Sequence, residues 1–277
     1  MRATIAALNV YPVKSCRGIA CERAEVTAQG LAVRGVRDRE WLVVDTNGQF
    51  VTQREHPRLA LVTVEASDGT IMLHVPDHAP FAPGPDGEIR DVRVWRAQLR
   101  GHDAGDEAAE ALSAFLGASV RLVRFDDTRP RRVNPDYAGT TKATTLYADG
   151  YPVLVISQAS LDDLNTRLAS RGVAPLPMNR FRPNVVLDGF EAYEEDHIET
   201  LVAGDVALKL VKPCTRCEVT TTDQQTTRRS HEPLHTLSTY RRDDRLAGVT
   251  FGMNAIVTGG AGTTLAVGDD VEATLRF

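Results

Sequence analysis

Cysteine is scarce in this chain: four residues in 277, Cys16, Cys21, Cys214 and Cys217. So few thiols exclude a disulfide scaffold and leave them free, metal-bound or redox-active. Long apolar runs are missing as well, and none approaches the ~20 residues that a membrane-spanning helix needs. The opening MRATIAALNVYPVKSC lacks a basic segment running into a long apolar one. The expectation is a reduced, soluble, cytoplasmic protein that meets no membrane. Nor is there an excess of positive charge, since 32 Lys and Arg face 37 Asp and Glu for a net charge of −5. Binding to a phosphate backbone needs a basic face, so no nucleic-acid partner is expected. What is present, 42% hydrophobic and 25% charged residues, is a globular composition. At ~150 residues per domain the length allows one large domain or two modest ones.

Much of the chain reads as short strands rich in β-branched residues and bounded by Gly, Pro, Asp or Asn: 4–13, 40–45, 59–66, 70–75, 120–125, 151–157, 183–189 and 206–211. Ser67-Asp68-Gly69 between two of them predicts a β-hairpin. Three helices are predicted. The first covers 106–116 with acids at its start and Gly117 at its end, and the second covers 158–170 with Leu161, Leu164 and Leu168 on one face. The third covers 233–242 and begins at Pro233. Few helices among many strands indicate a predominantly β, α+β protein built on an antiparallel barrel. The polar stretch 126–139 is the expected boundary between regions 1–125 and 126–277. The proline-rich stretch 75–88 reads as an exposed loop.

Cys214 and Cys217 form a C-x-x-C pair. It fits a redox dithiol, a soft-metal thiolate, or half of a four-cysteine zinc site completed by Cys16 and Cys21. VTTTDQQTT (219–227) follows it and reads as strand and turn, which weakens the redox alternative. His231-Glu232-Pro233-Leu234-His235 matches H-E-x-x-H, but Pro233 belongs at a helix start and not in the helix interior that a metalloprotease needs. Lys14, Arg37, Arg39, Arg180 and Arg182 stand next to strand ends or turns, where they line a surface or an anion pocket. Arg182 and Asn184 flank Pro183 at the head of an apolar strand, a place where a phosphate can be gripped.

Taken together and in order, YPVKSCRG (11–18), RDREWLVVD (37–45), VTQREHPRLALV (51–62), DGYPVLVISQASLDDLN (149–165), FRPNVVLDG (181–189), PCTRCEVTTTD (213–223) and EPLHTLSTYRR (232–242) resemble the MOSC family. The likeness is to its two-part proteins, in which an N-terminal β-barrel region (here 1–125) precedes the MOSC domain (here 126–277). The resemblance implies a molybdenum cofactor, Mo-molybdopterin, with Cys217 as the metal ligand. It places Lys14, Ser15, Arg39, Arg182, Asn184, Thr215 and Arg216 at cofactor-contacting positions and Asp149 beside the metal, where it could pass a proton. It also implies reduction of small N-hydroxylated compounds. In TTTDQQTT, Thr227 stands where the family commonly has glycine. Without an iron–sulfur, haem or Gly-rich dinucleotide motif, electrons are expected from a separate ferredoxin, flavodoxin or cytochrome b5-like protein with its reductase. Arg228, Arg229, Arg241 and Arg242 are candidates for docking that carrier. A non-catalytic cofactor or sulfur carrier and the zinc protein remain as alternatives.

Overall fold

A computed structural model describes residues 1–84 and 87–276. Its first strand, Arg2–Val10, buries Ala3 and Ile5 and then Leu8 and Val10, so the buried phase slips by one residue. A β-bulge between Ile5 and Ala7 in the pairing with Val185–Asp188 accounts for the slip, because one extra residue reverses which side chains face inward. From this strand the sheet runs in one direction through Asp270–Leu275, Ile198–Ala203, Val206–Thr215 and Gly248–Gly259. In the other direction it runs through Val185–Asp188 to Val153–Ser157. Val153–Ser157 also pairs with Gly248–Gly259, which closes seven strands into a barrel. All the pairings around it are antiparallel except Val153–Ser157 with Val185–Asp188.

Every residue of Val153–Ser157 is buried because both of its faces are covered. Val153 and Val155 join the main core, whereas Leu154 and Ile156 pack with Leu161, Leu164 and Leu168 of helix Gln158–Ser170. That helix is capped by Ser157, whose hydroxyl accepts from the Ser160 N–H. Helix Asp106–Leu116 ends at Gly117 in the left-handed conformation and packs on Val120–Phe125. Val120–Phe125 lies in a four-stranded antiparallel sheet with Trp41–Asp45, Ala97–Asp103 and Ile89–Val94. The protein is therefore predominantly β with a few helices, as the sequence indicates.

The hairpin forms as predicted, with Thr63–Ser67 paired to Thr70–His74 around Asp68 and Gly69 at φ 47° and 77°. Three local expectations are corrected. Residues 59–61 belong to a 3-10 turn, Pro57–Leu61, and not to the strand that follows. The segment after Cys217 is a 3-10 turn, Glu218–Thr221, and not a strand. The third helix is only Leu234–Ser238, and Arg242 already lies in a short strand. The expected boundary 126–139 holds a short strand, Arg131–Arg132, and a helical turn, Pro135–Ala138. Pro85 and Asp86 of the predicted 75–88 loop, and Phe277, lie outside the described residues. Among the described residues no helix is long and apolar enough to cross a membrane.

Candidate functional site

Five separated segments meet at one narrow cleft: Lys14 and Ser15, Arg39, Asp149, Arg182 and Asn184, and Thr215 to Cys217. All nine residues selected from the sequence line it. The cysteine segment is delivered by the bulged end of Val206–Thr215, whose register against Gly248–Gly259 shifts between Pro213 and Thr215. Cys217 then heads the 3-10 turn, its carbonyl accepting from the Thr220 N–H at 3.1 Å and the Thr220 hydroxyl at 2.9 Å.

Three of the lining residues hold left-handed backbone without being glycine: Ser15 at φ 70°, Arg39 at 50° and Arg182 at 57°. Such backbone costs about 1 kcal/mol or more per residue and persists where the surroundings over-determine it, often at binding sites. The surroundings here are a buried polar web. The Asn184 amide accepts from the Leu154 N–H at 3.0 Å and Arg39 Nη1 at 3.1 Å. It donates to the Asn9 carbonyl at 3.1 Å and to Asp38 Oδ1 at 2.8 Å. All four of its bonding positions are thus used within the protein. Asn184 lines the cleft and, through its amide, sets the position of Arg39. Asp38 pairs with Arg39 and accepts from the Tyr11 N–H. The guanidinium carbons of Arg39 and Arg182 stand 4.5 and 4.3 Å from the Tyr11 ring centroid.

Arg182 carries the clearest sign of a missing anion. Its Nη1 donates to the Cys16 carbonyl at 2.7 Å. Among the described residues its buried Nη2 has no partner, and neither has Arg216 Nε. Buried donors without partners are rare and costly. Burial pulls the Arg182 guanidinium down to about 10, a cost to its charge that a neighbouring anion would offset. Burial also lowers the Lys14 ammonium, opposed by Asp149, whose Oδ1 lies 2.7 Å from Nζ. At Asp149 the surrounding protein pushes the carboxyl up, but Lys14 and the Trp95 N–H, 2.9 Å away, pull harder and hold it well below the usual range.

Sequence reasoning did not find Trp95, Arg54, Asp38 or the Gln53–Gln224 pair. The two buried glutamines exchange hydrogen bonds, and Gln53 Nε2 also donates to the Ser15 carbonyl at 2.6 Å. No motif announces such residues, because their partners lie up to 171 positions away. Other basic candidates lie elsewhere. Arg37 pairs with Glu40 and Asp127, and Arg180 holds the Thr221 carbonyl and Asp223 of the turn after Cys217. Arg229 donates to the Gln53 and Arg54 carbonyls, Arg241 pairs with Asp196 and Arg242 with Asp244. Arg229 and Arg241 are thus held by partners within the protein, whereas the Arg242–Asp244 pair is exposed on the surface. Thr227 adopts φ 60° in its turn, the conformation for which glycine is the usual choice.

The zinc and protease alternatives fail on geometry. Cys16 is buried in the main core and Cys21 packs against it, whereas Cys214 joins a different apolar cluster. Among the described residues no three His, Cys, Asp or Glu gather at metal-ligand spacing. Glu232 of the H-E-x-x-H match instead accepts from the Thr236 N–H and hydroxyl at 2.9 and 3.0 Å and is engaged within the protein.

A seven-stranded barrel with two thiols, Cys214 and Cys217, clustered buried cations and unpaired guanidinium donors in a single cleft defines a protein built to hold an anionic ligand beside a soft donor. Residues 2–119 match the MOSC N-terminal beta barrel domain, and residues 142–272 match the MOSC domain. The chain is 41% identical over 249 residues to mitochondrial amidoxime-reducing component 1 of Mus musculus, covering 87% of this chain and 72% of that protein. Its identity to the Homo sapiens component 1 is 39% over 251 residues, covering 87% and 73%. To component 2 of Bos taurus it is 38% over 249 residues, covering 87% and 73%. The chain belongs to the MOSC family.

Proposed function

We propose that this chain is a molybdenum-cofactor oxidoreductase that reduces small N-hydroxylated compounds, with electrons supplied by a separate carrier. The observation that carries the reading is the convergence of five segments on one cleft that joins the Cys217 thiol to unpaired guanidinium donors. The residues fit the group. A thiolate is a suitable protein donor to molybdenum, and Lys14, Arg39, Arg182 and Arg216 suit a pterin phosphate. Bound there, the cofactor supplies the two-electron redox centre.

The chain's own residues supply the rest. Arg182 Nη2 and Arg216 Nε gain the anionic partners they lack. Asn184 and Asp38 keep Arg39 in place. Reduction of an N–OH group to N–H consumes two electrons and two protons and releases water. Lys14 Nζ, 2.7 Å from Asp149 Oδ1, relays one proton through Asp149 to the departing oxygen as the N–O bond breaks, and solvent supplies the second proton and reprotonates Lys14. Relatives named for amidoxime reduction, 38–41% identical over most of this chain, support the substrate class. A cytoplasmic setting, with a ferredoxin, flavodoxin or cytochrome b5-like donor and its reductase, completes the proposal.

The test is purification from cells that make molybdopterin, followed by assay of benzamidoxime with a reduced viologen. One molybdenum and one pterin per chain, with turnover by viologen but not by NADH alone, is the expected result. Full cofactor loading without turnover would favour a non-catalytic carrier. A folded protein without molybdenum or pterin would overturn the proposal.

A further inference from the structure

The cleft opens into a broad groove of about 1310 Å³, and the two share Arg54, Asp149, Gly150 and Tyr151. The groove differs from the surface of this acidic protein. Five cations line it, Arg54, Arg96, Arg131, Arg132 and Lys212, against three acids, Asp45, Glu55 and Asp149. Each acid is already engaged. Asp45 accepts from the Asn47 and Gln49 N–H groups, Glu55 from Thr52, and Asp149 from Lys14 and Trp95. Arg131 is spent on the Leu146, Ala148 and Asp149 carbonyls. Arg96, Arg132 and Lys212 meet no carboxylate among the described residues.

Flat apolar surface accompanies these charges. Trp95 is 49% exposed, with the Arg54 guanidinium 4.4 Å from its ring centroid and Phe50 at 5.1 Å. Where groove and cleft join, Tyr151 is nine-tenths buried and its hydroxyl has no partner among the described residues. A buried hydroxyl in that state calls for a polar group from outside the chain.

We propose that this groove holds the non-reacting part of the substrate and selects flat molecules that carry a carboxylate or phosphate. The ring lies against Trp95 while Arg132 and Lys212 meet the anion, and the N–OH group then points past Asp149 toward Cys217. The inference rests on the functional reading above and adds the substrate class within it.

Two measurements test it separately. The first compares benzamidoxime with 4-carboxybenzamidoxime. The acid should show a KM about tenfold lower at similar kcat, the effect of one charge-assisted contact. The double variant Arg132→Ala/Lys212→Ala should erase that preference while leaving benzamidoxime turnover unchanged, and added salt should shrink it. The second measures binding of non-reducible 4-carbamoylbenzoate against benzamide by tryptophan fluorescence. Trp95→Phe serves as the control, because the other tryptophan, Trp41, is buried. Equal KM values for the two amidoximes would overturn the proposal. So would loss of 4-carbamoylbenzoate binding on cofactor loading, which would assign the groove to the cofactor. If neither amidoxime turns over but the acid still binds preferentially, the groove stands and the redox reading falls.

Discussion

Cys214 and Cys217 share a motif and both line the cleft, but they differ in what their sulfurs touch. The Cys214 sulfur accepts from Arg216 Nη1 at 3.0 Å and packs against the apolar cluster beneath helix Gln158–Ser170, so its place is structural. Cys217 stands at the head of the turn in the cleft. Cys217→Ser should therefore lose molybdenum and reduce amidoxime turnover to background while its melting temperature is unchanged. Cys214→Ser should keep most of both and cost about 1 kcal/mol of stability, the scale of one hydrogen bond. Elemental analysis and thermal melts on the two variants check this. Equal metal retention in both would reject Cys217 as the ligand. Cys16 makes a useful contrast: burial raises its thiol to about 12, so it should resist alkylation in the folded protein.

Two elements carry cost that their sequences do not explain locally. The turn between Ile89–Val94 and Ala97–Asp103 has only two residues, and its first is Trp95 at φ 57°, a conformation suited to Asn or Gly. The bulky side chain is accommodated because the hairpin tip carries its N–H to Asp149. Trp95→Phe keeps the ring and removes that donor. Turnover should fall about tenfold, the usual scale for losing a group that orients a site residue. Asp149 should titrate higher, so activity that needs its carboxylate should fade at a higher pH on acidification, and Trp95→His should recover part of the loss. An unchanged pH profile would leave Trp95 without this role. At the other end of the second strand, Asp103 accepts from Gly105 N–H at 2.8 Å and Arg121 Nη2 at 2.7 Å and pairs with Arg90, fixing the start of helix Asp106–Leu116. Burial pushes its carboxyl up, but Arg121, the Gly105 N–H and Arg90 together hold it at about 2. Because the folded value lies below the unfolded one, this stabilisation is full above pH ~4 and is lost as pH falls toward 2. Asp103→Asn should cost about 2 kcal/mol at pH 7, and urea midpoints should show that difference closing below pH 4.

At the scale of the whole chain, the sequence was most legible where the signal is local. Helix Asp106–Leu116 ends at its glycine, helix Gln158–Ser170 starts at its serine, and the Asp68-Gly69 turn makes its hairpin. The residues that converge in the cleft could be picked out in the sequence because each lies in a segment that resembles the MOSC family. Illegible were the features set by distant partners: the two glutamines that tie Ser15 to the turn after Cys217, the full use of the Asn184 amide, and the membership of Arg2–Val10 in the barrel. That last feature bears on the expected division at 125/126. Arg2–Val10 lies between Val185–Asp188 and Asp270–Leu275, with Leu8 opposite Val185 and Ala3 opposite Val271. Thr264–Ala266 in turn pairs with Arg23–Thr27. Residues 126–277 alone would therefore leave two barrel strands with open edges and unpaired backbone groups where the barrel should close. They would also lack Lys14, Ser15 and Arg39 from the cleft. Residues 1–125 alone would expose the apolar side chains of Arg2–Val10. We therefore expect each half, expressed separately, to be insoluble or without a cooperative melt. Co-expression of the halves should restore a folded complex that binds pterin. A 126–277 fragment that melts cooperatively and retains molybdenum would show that the barrel closes without its N-terminal strand, and that the N-terminal cations are dispensable for the cofactor.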